Sequence, residues 1–488
     1  MTRISHRKCD STPARRVSEE RSQNLAYASG WCLALLFVLL LCPLVHALGK
    51  DDPKKKKTQP LEGLKALQHP DAKVRYRAAQ TLAELGPLAK FAAPDLREAL
   101  KDKNALVRVK VAEALWKIEQ TPASILLPVL LEAMKDKDAG VRAAAPPVIA
   151  LLGTKAKGAL PALKEALKDK EFDVKLAAVA ALGDLGPIAK NSAGDLLALT
   201  TDPSFFLLEP FVGASLGSLG ESVVPALIMA LAEKSPERRR VAAYALGSMG
   251  PAAAPAVAGL GKALRYEDPA TRQHAARALG RIGPEAKSVL PQLENILTDA
   301  EVPVRIEAAL ATWYITGQAK HTDVLVKALG DKSANVKDAA CRALAAMKGG
   351  AKQAVGPVAD LLDDNDLRLR AIITLGEIGP GAPKPIEMKL VKLLDDKDGE
   401  IQLWSAFALW QLGGDAKRTL KVINETLGTE KHYTQSIILL GEMGTAAESM
   451  LPTLVNLYRE EDIAANRQAL AVAIKRIDPK LAQKLGIK

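Results

Sequence analysis

A basic side chain recurs at intervals of about 33 residues: Arg75, Arg108, Arg142, Lys175, Arg239, Arg272, Arg305, Lys337 and Arg368, in most cases directly after a valine. Stacked in a column, such cations would bind an acidic partner. An acid stands six residues before many of them, as in Asp102 with Arg108, Asp136 with Arg142, Asp169 with Lys175, Glu233 with Arg239, Asp299 with Arg305 and Asp331 with Lys337. Charges paired this regularly read as architecture, joined by charge-assisted hydrogen bonds. The acid is also placed to cap the helix that follows it.

Large aromatic residues are a second set of candidates. Nine residues after the valine position most copies carry Gly or Ala (Ala83, Ala150, Gly183, Gly247, Gly280, Ala345, Gly376, Gly441), whereas three carry a tryptophan: Trp116, Trp313 and Trp410. A small residue lets helices approach closely, so a ring there either fills a wider gap between copies or serves as an anchor for a partner. The segment Ser204 to Phe211 departs most from the pattern. It loses the basic residue, gains Pro210, and holds Phe205, Phe206 and Phe211, three of the seven phenylalanines. It reads as a local kink or as an apolar contact site. Pro146-Pro147 is a second expected kink.

Catalytic chemistry lacks its residues. The six histidines are His6, His46, His69, His274, His321 and His432. There is no His-Glu-x-x-His, phosphate loop or nucleophile elbow. Of four cysteines, Cys9, Cys32 and Cys42 lie before residue 49 and only Cys341 follows, so no zinc spacing exists. Cys341 sits at a core-like helical position and reads as a small buried hydrophobe. The expectation is no catalytic residue, no cofactor and no metal.

The elements that position these residues come from the repeat itself. A closing glycine falls, within a residue, at Gly86, Gly153, Gly186, Gly220, Gly250, Gly283, Gly317, Gly349, Gly379, Gly413 and Gly444, with Glu119 and Asp478 in the same place in two degenerate copies. Each copy reads as two helices. The first follows the Gly-Pro turn and often has an early proline (Pro94, Pro128, Pro161, Pro291, Pro357, Pro452), tolerated where its missing N–H has no partner. A Leu/Ala/Val stripe of helical period follows. The second helix starts at the Val-Arg pair and stops at Gly-Pro. One such hairpin cannot bury its apolar side alone, so neighbours must stack.

The consensus Asp-x-x-Val-Arg-x-x-Ala-Ala-x-Ala-Leu-Gly-x-Ile-Gly-Pro resembles the HEAT family, in its bacterial phycobilisome-lyase-like form. The resemblance covers nearly all of the chain after Pro60. It implies an all-α fold, an α-solenoid of about thirteen HEAT-like hairpins, with acid and base forming a ladder between neighbouring turns. None of the histidines is followed by Glu, so the His-Glu pairs of the HEAT-repeat di-iron hydroxylase are missing. The fold by itself does not name an activity.

The net charge of +11 invites a nucleic-acid reading. Residues 1–57 hold 11 Lys and Arg against 5 Asp and Glu, which leaves 56 against 51 for the rest, a net +5. Aromatics are only 4%, sparse for base stacking. The leader, 1–48, carries an uncharged apolar run over 31–48, preceded by Arg15, Arg16 and Arg21 and containing Val45-His46-Ala47. That is the pattern of a cleaved signal peptide. Lys50 and Lys54 to Lys57 follow at once and suit a retained anchor instead. Residues 49–60 form a Lys-rich linker, and 31–57 is the part that would meet a membrane. The repeat array is 61–488.

Together these point to a non-catalytic protein–protein interaction scaffold in or at the cell envelope. Its partners would be proteins bound on the inner face of the solenoid, and Trp116, Trp313, Trp410, Phe205, Phe206 and Phe211 would be the contact residues. The other readings are a chromophore-lyase-like HEAT enzyme and a DNA-binding HEAT protein.

Overall fold

The structure, a computed structural model, describes residues 64–487 apart from 382 and 462. The leader and the linker lie outside the described residues, which are helical throughout with no strand. They fall into two compact bodies, one ending at Ala256 and the other starting at Val257. In the first body the second helices of successive hairpins are Ala72–Leu85, Ala105–Glu119, Ala139–Leu151, Phe172–Leu185, Phe205–Ser218 and Pro236–Met249. In the second they are Pro269–Ile282, Val302–Thr316, Ala334–Met347, Arg368–Ile378, Gly399–Gln411, Tyr433–Met443 and Ala464–Ile477. Within each body every hairpin packs on the next, which makes each an α-solenoid.

Local signals set the helix ends. Asp71, Asn104, Ser235 and Asp268 each cap a second helix, accepting from the N–H of Lys73, Val107, Arg238 and Thr271. The closing residue takes a backbone conformation that only glycine adopts without strain. Gly86, Gly186 and Gly250 have φ/ψ of 56/−133°, 59/−134° and 59/−133°. Where the glycine is displaced another residue is forced into positive φ: Gln120 at 52° and Lys348 at 48°. The sequence places Gly349 in the closing position, and the structure puts Lys348 there instead.

The first helix is less regular than its stripe implies. Gly86–Ala92, Gly153–Ala159, Gly186–Ser192, Gly283–Val289 and Gly444–Met450 are 3₁₀ turns that lead into a short α-helix. Pro94, Pro161, Pro291 and Pro452 stand in the first turn of that α segment. The expected proline kinks do not interrupt the second helices. Ala139–Leu151 runs through Pro146 and Pro147, and Phe205–Ser218 runs through Pro210. Stacking on both neighbours holds each of these helices despite the lost backbone bond.

The core repeats with the fold. Leu82, Leu115, Ile149, Leu182, Leu216 and Leu246 from the second helices of the first body are fully buried, as are Leu96, Leu130, Leu163, Leu196 and Leu227 from its first helices. In the second body Cys341 is buried in one such cluster. Burial pushes its thiol pKa up to about 12, as suits an inert apolar role.

The basic column is a ladder. Arg75 Nε and Nη2 donate to Asp102 at 2.5 and 2.8 Å, Arg142 to Asp169 at 2.7 and 2.9 Å, and Arg272 to Asp299 at 2.7 and 2.9 Å. Lys175 Nζ donates to Asp202 at 2.6 Å. Each base thus grips the acid 27 residues ahead, in the next hairpin. The acid six residues behind contributes its backbone instead. Arg108 Nη1 donates to the Asp102 carbonyl at 2.8 Å, and Arg305 Nη1 to that of Asp299 at 2.5 Å. One aspartate therefore serves two hairpins, by carbonyl to its own base and by carboxylate to the preceding one.

That carboxylate also accepts from the N–H two residues on, as from Asn104 at 2.8 Å and Glu301 at 3.0 Å. It does not cap the second helix as expected. It lies two residues too early, so it reaches the N–H of the cap residue rather than those of the first turn. The hydrogen bond from Arg142 holds the Asp169 carboxyl below the usual range. At Asp102 and Asp299 burial pushes upward, but the arginine hydrogen bonds and charge outweigh it and these carboxyls are lowered too.

Two outcomes follow. Replacing Lys348 by glycine should raise the thermal midpoint, since a side chain in this region of φ/ψ costs on the order of 1 kcal/mol; Gly186→Ala should lower it by a similar amount, both read by calorimetry. A carboxylate lowered in the folded state stabilises fully above its unfolded pKa of about 3.9, and that stabilisation is lost as pH falls through the folded value. The midpoint should therefore fall steeply below pH of about 4. Arg272→Ala should flatten part of that acid limb and cost about 2–4 kcal/mol at neutral pH, because it strands Asp299, whose side chain is 8% exposed.

Candidate functional site

Acids of neighbouring hairpins and carbonyls of the turns engage the basic column, leaving the aromatic candidates. Trp116, Trp313 and Trp410 are all half-buried. Lys155, in the turn Gly153–Ala159, lies 4.7 Å from the Trp116 ring centre. In the second body the Trp313 ring fills the place beside Gly350 so closely that a Cβ on that glycine would come within 2.6 Å of it. Trp410 lies 5.4 Å from the Phe407 ring and packs on a core cluster of that body. Elsewhere the same position is small because the helices nearly touch. A Cβ on Gly280 would stand 2.9 Å from Ala311 Cα, and one on Gly183 would stand 3.0 Å from Ser215 Cα. The phenylalanines divide. Phe205 is 4% exposed and belongs to the core, while Phe206 and Phe211 are 59% and 43% exposed.

The structure thus does not gather the six aromatic candidates into one site. It does place Phe211 in a pattern that appears when the solvent-facing line of each second helix is read, with residues at i, i+4, i+7 and i+11 on one stripe. In the first body these lines run Lys73–Arg77–Gln80–Glu84, then Leu106–Lys110–Glu113–Lys117. Next come Gly140–Ala144–Pro147–Leu151, Asp173–Ala177–Ala180–Asp184 and Leu207–Phe211–Ala214–Ser218. The sixth helix presents Glu237, Arg240, Tyr244 and Ser248. Each of these residues is exposed or half-buried. The charged rows at either side are satisfied, one within its own helix and the other by an acid of the adjacent helix. Lys110 and Lys117 both reach Glu113 at 2.6 Å, and Arg240 Nε reaches Glu209 at 2.9 Å. The three rows between them are apolar apart from Ser218 and two aspartates, Asp173 and Asp184. Burial raises the Asp184 carboxyl above its ordinary value.

The second body differs. Its corresponding faces are bridged between neighbouring helices by Arg277 with Glu307, Arg370 with Asp338 at 2.7 Å, and Arg476 with Glu442. Among the described residues no group of three or more His, Cys, Asp or Glu stands together to hold a metal. An open cleft of 310 Å³ lies on the first-helix side of the first body, lined by Lys164, Leu167, Asp195 and Asp202. The three charged ones are already paired, Lys164 with Asp195 at 2.9 Å and Asp202 with Lys175.

The sequence marks Phe211 as unusual but does not single out Ala144, Pro147, Leu151, Ala177 and Ala180, which the structure sets on the same apolar rows. Their signal was available: three consecutive helices whose solvent line carries no lysine or arginine. Small residues at these positions suit close helix packing equally well, so the sequence alone does not mark them as a surface.

Comparison with known proteins fits this geometry. The family described as HEAT repeats matches residues 62–151, 127–208, 224–312, 290–376 and 322–410. The matches stop at 208 and resume at 224, across the helix that carries Phe211. No curated protein sequence matches the chain. Among solved structures an engineered protein is 23% identical, with 73% of this chain and 99% of that one covered and a TM-score of 0.32. The karyopherin Kap121p bound to Pho4p is 15% identical, with 97% and 58% covered and a TM-score of 0.37. Kap121p bound to Ste12p is 17% identical, with 91% and 57% covered and a TM-score of 0.37. The chain spans somewhat more than half the length of that karyopherin. With the family matched over more than half of its length, in step with hairpins joined by the Arg–Asp ladder, the chain belongs to the HEAT-repeat family.

Proposed function

We propose that the chain is a non-catalytic protein-interaction scaffold at the cell envelope, and that its partner docks on the three apolar rows of the first body. The observation that carries this reading is the exposure of large apolar side chains in those rows: Leu151 is 45% exposed and Phe211 43%. A contiguous apolar face bordered by satisfied charges is the mark of a surface that is covered in use. The rows have no basic residue for a phosphate backbone to meet. The apolar run 31–48 supports placement at the envelope, by export or by a retained anchor. The Val-Arg and Gly-Pro consensus supports the phycobilisome-lyase-like form of the family.

Affinity capture of the full chain from its native cell, with the N-terminal peptide read by mass spectrometry, tests this. A discrete protein should be retained by the wild type, lost on Phe211→Asp, and kept on Leu88→Asp, which alters an 81% exposed leucine outside the rows. Circular dichroism should be unchanged in both variants. Retention that ignores Phe211→Asp, or recovery of nucleic acid alone, would overturn the reading.

A further inference from the structure

The three apolar rows have a shape and a charge pattern as well as a polarity. The middle row, Asp173–Ala177–Ala180–Asp184, places two methyl side chains between two carboxylates. The rows on either side are taller, with Pro147 and Leu151 along one and Phe211 along the other. Packed helices stand about 8–10 Å apart, so the outer rows are separated by about 16–20 Å. An α-helix with its side chains is about 10–12 Å across and fits between them. The close approach of Gly183 to Ser215, whose Oγ donates to the Val179 carbonyl at 2.8 Å, holds two of the three helices in this spacing.

Charge sets the ends. Asp173 lies in the first turn of Phe172–Leu185 and Asp184 in its last turn. Eleven residues return a helix to nearly the same face, so both carboxylates sit on the line of the groove, about 16 Å apart. Neither has an ion-pair partner among the described residues, whereas in the flanking rows Glu113 is engaged by Lys110 and Lys117 and Glu237 lies 3.9 Å from Arg240.

We propose that this groove takes one amphipathic α-helix of a protein partner, about three turns long, apolar on its docked face and carrying Lys or Arg near both ends about eleven residues apart. Asp173 and Asp184 receive those two charges, while Leu151 and Phe211 flank the apolar face. The assignment rests on the scaffold reading and narrows its ligand to one class.

The test uses the purified full chain and three synthetic fourteen-residue helical peptides with one apolar face, differing only in bearing Lys, Gln or Glu at positions 2 and 13. Fluorescence anisotropy reads binding. The Lys peptide should bind about tenfold tighter than the Gln peptide, from two rim ion pairs each worth a factor of about three. The Glu peptide should bind weakest. Asp173→Asn with Asp184→Asn should remove the charge preference and leave the Gln peptide unchanged. Phe211→Ala should weaken all three peptides. Equal binding of the Lys and Glu peptides, or none of either, overturns the helix assignment; if capture of a protein still depends on Phe211, the scaffold reading survives that failure. A full chain that sediments as a dimer split by Phe211→Asp gives the groove to a second copy and overturns the proposal. So does a chain lacking residues 1–57 that binds the Lys peptide tenfold tighter than the full chain, which gives the groove to the chain's own apolar and lysine-rich segment.

Discussion

One hairpin of this chain cannot cover the apolar side it is built around, and every other feature answers to that constraint. Leu163 and Leu182, from the two helices of one hairpin, are both fully buried only because the next hairpin closes over them. Stacking demands a fixed spacing and a fixed rotation between copies. The glycine positions meet the first demand by letting backbones approach, as at Gly183 and Gly280. The Arg–Asp rungs meet the second, because a bidentate guanidinium–carboxylate pair has one geometry and tolerates little slip.

The ladder is economical in its atoms. A single aspartate accepts from the preceding hairpin's base, orders the turn through the N–H two residues on, and lends its carbonyl to its own hairpin's base. Position in the turn, not charge alone, decides this. An acid two residues nearer the helix would cap it and leave the neighbouring base unmatched. The recurrence of charge in this chain is thus a device for joining hairpins, which is why so little of it is free for recognition.

Recognition is then expected where the repeat relaxes. In three of the six second helices of the first body the solvent line is charged, and ion pairs such as Lys110–Glu113 and Arg240–Glu209 engage those charges. Over the other three, apart from Asp173, Asp184 and Ser218, the line is made of Gly, Ala, Pro, Leu and Phe. Solubility alone would favour charge there, so the apolar rows cost something that a covering partner would offset. The tryptophans, by contrast, stand where neighbouring hairpins meet. Trp313 lies hard against Gly350, so its size is accounted for by packing between hairpins.

The sequence by itself determined the class of fold, the period, the helix ends to within a residue and the regular recurrence of acids with bases. All of these depend on residues near one another in the chain or repeated at one interval. It marked Cys341 as core and Phe206 and Phe211 as unusual. Only the tertiary structure decided that Arg75, Arg142, Lys175 and Arg272 take the carboxylate 27 residues ahead, while the acid six residues behind a base such as Arg108 offers its carbonyl, because stacking brings the more distant carboxylate within reach. It also decided that Lys348 and not Gly349 takes the positive φ, that Phe205 turns inward while Phe211 turns out, and that Asp173 and Asp184 share one line with alanines between. Those outcomes depend on which side of a helix meets its neighbour, and a periodic sequence does not state that until the hairpins are stacked.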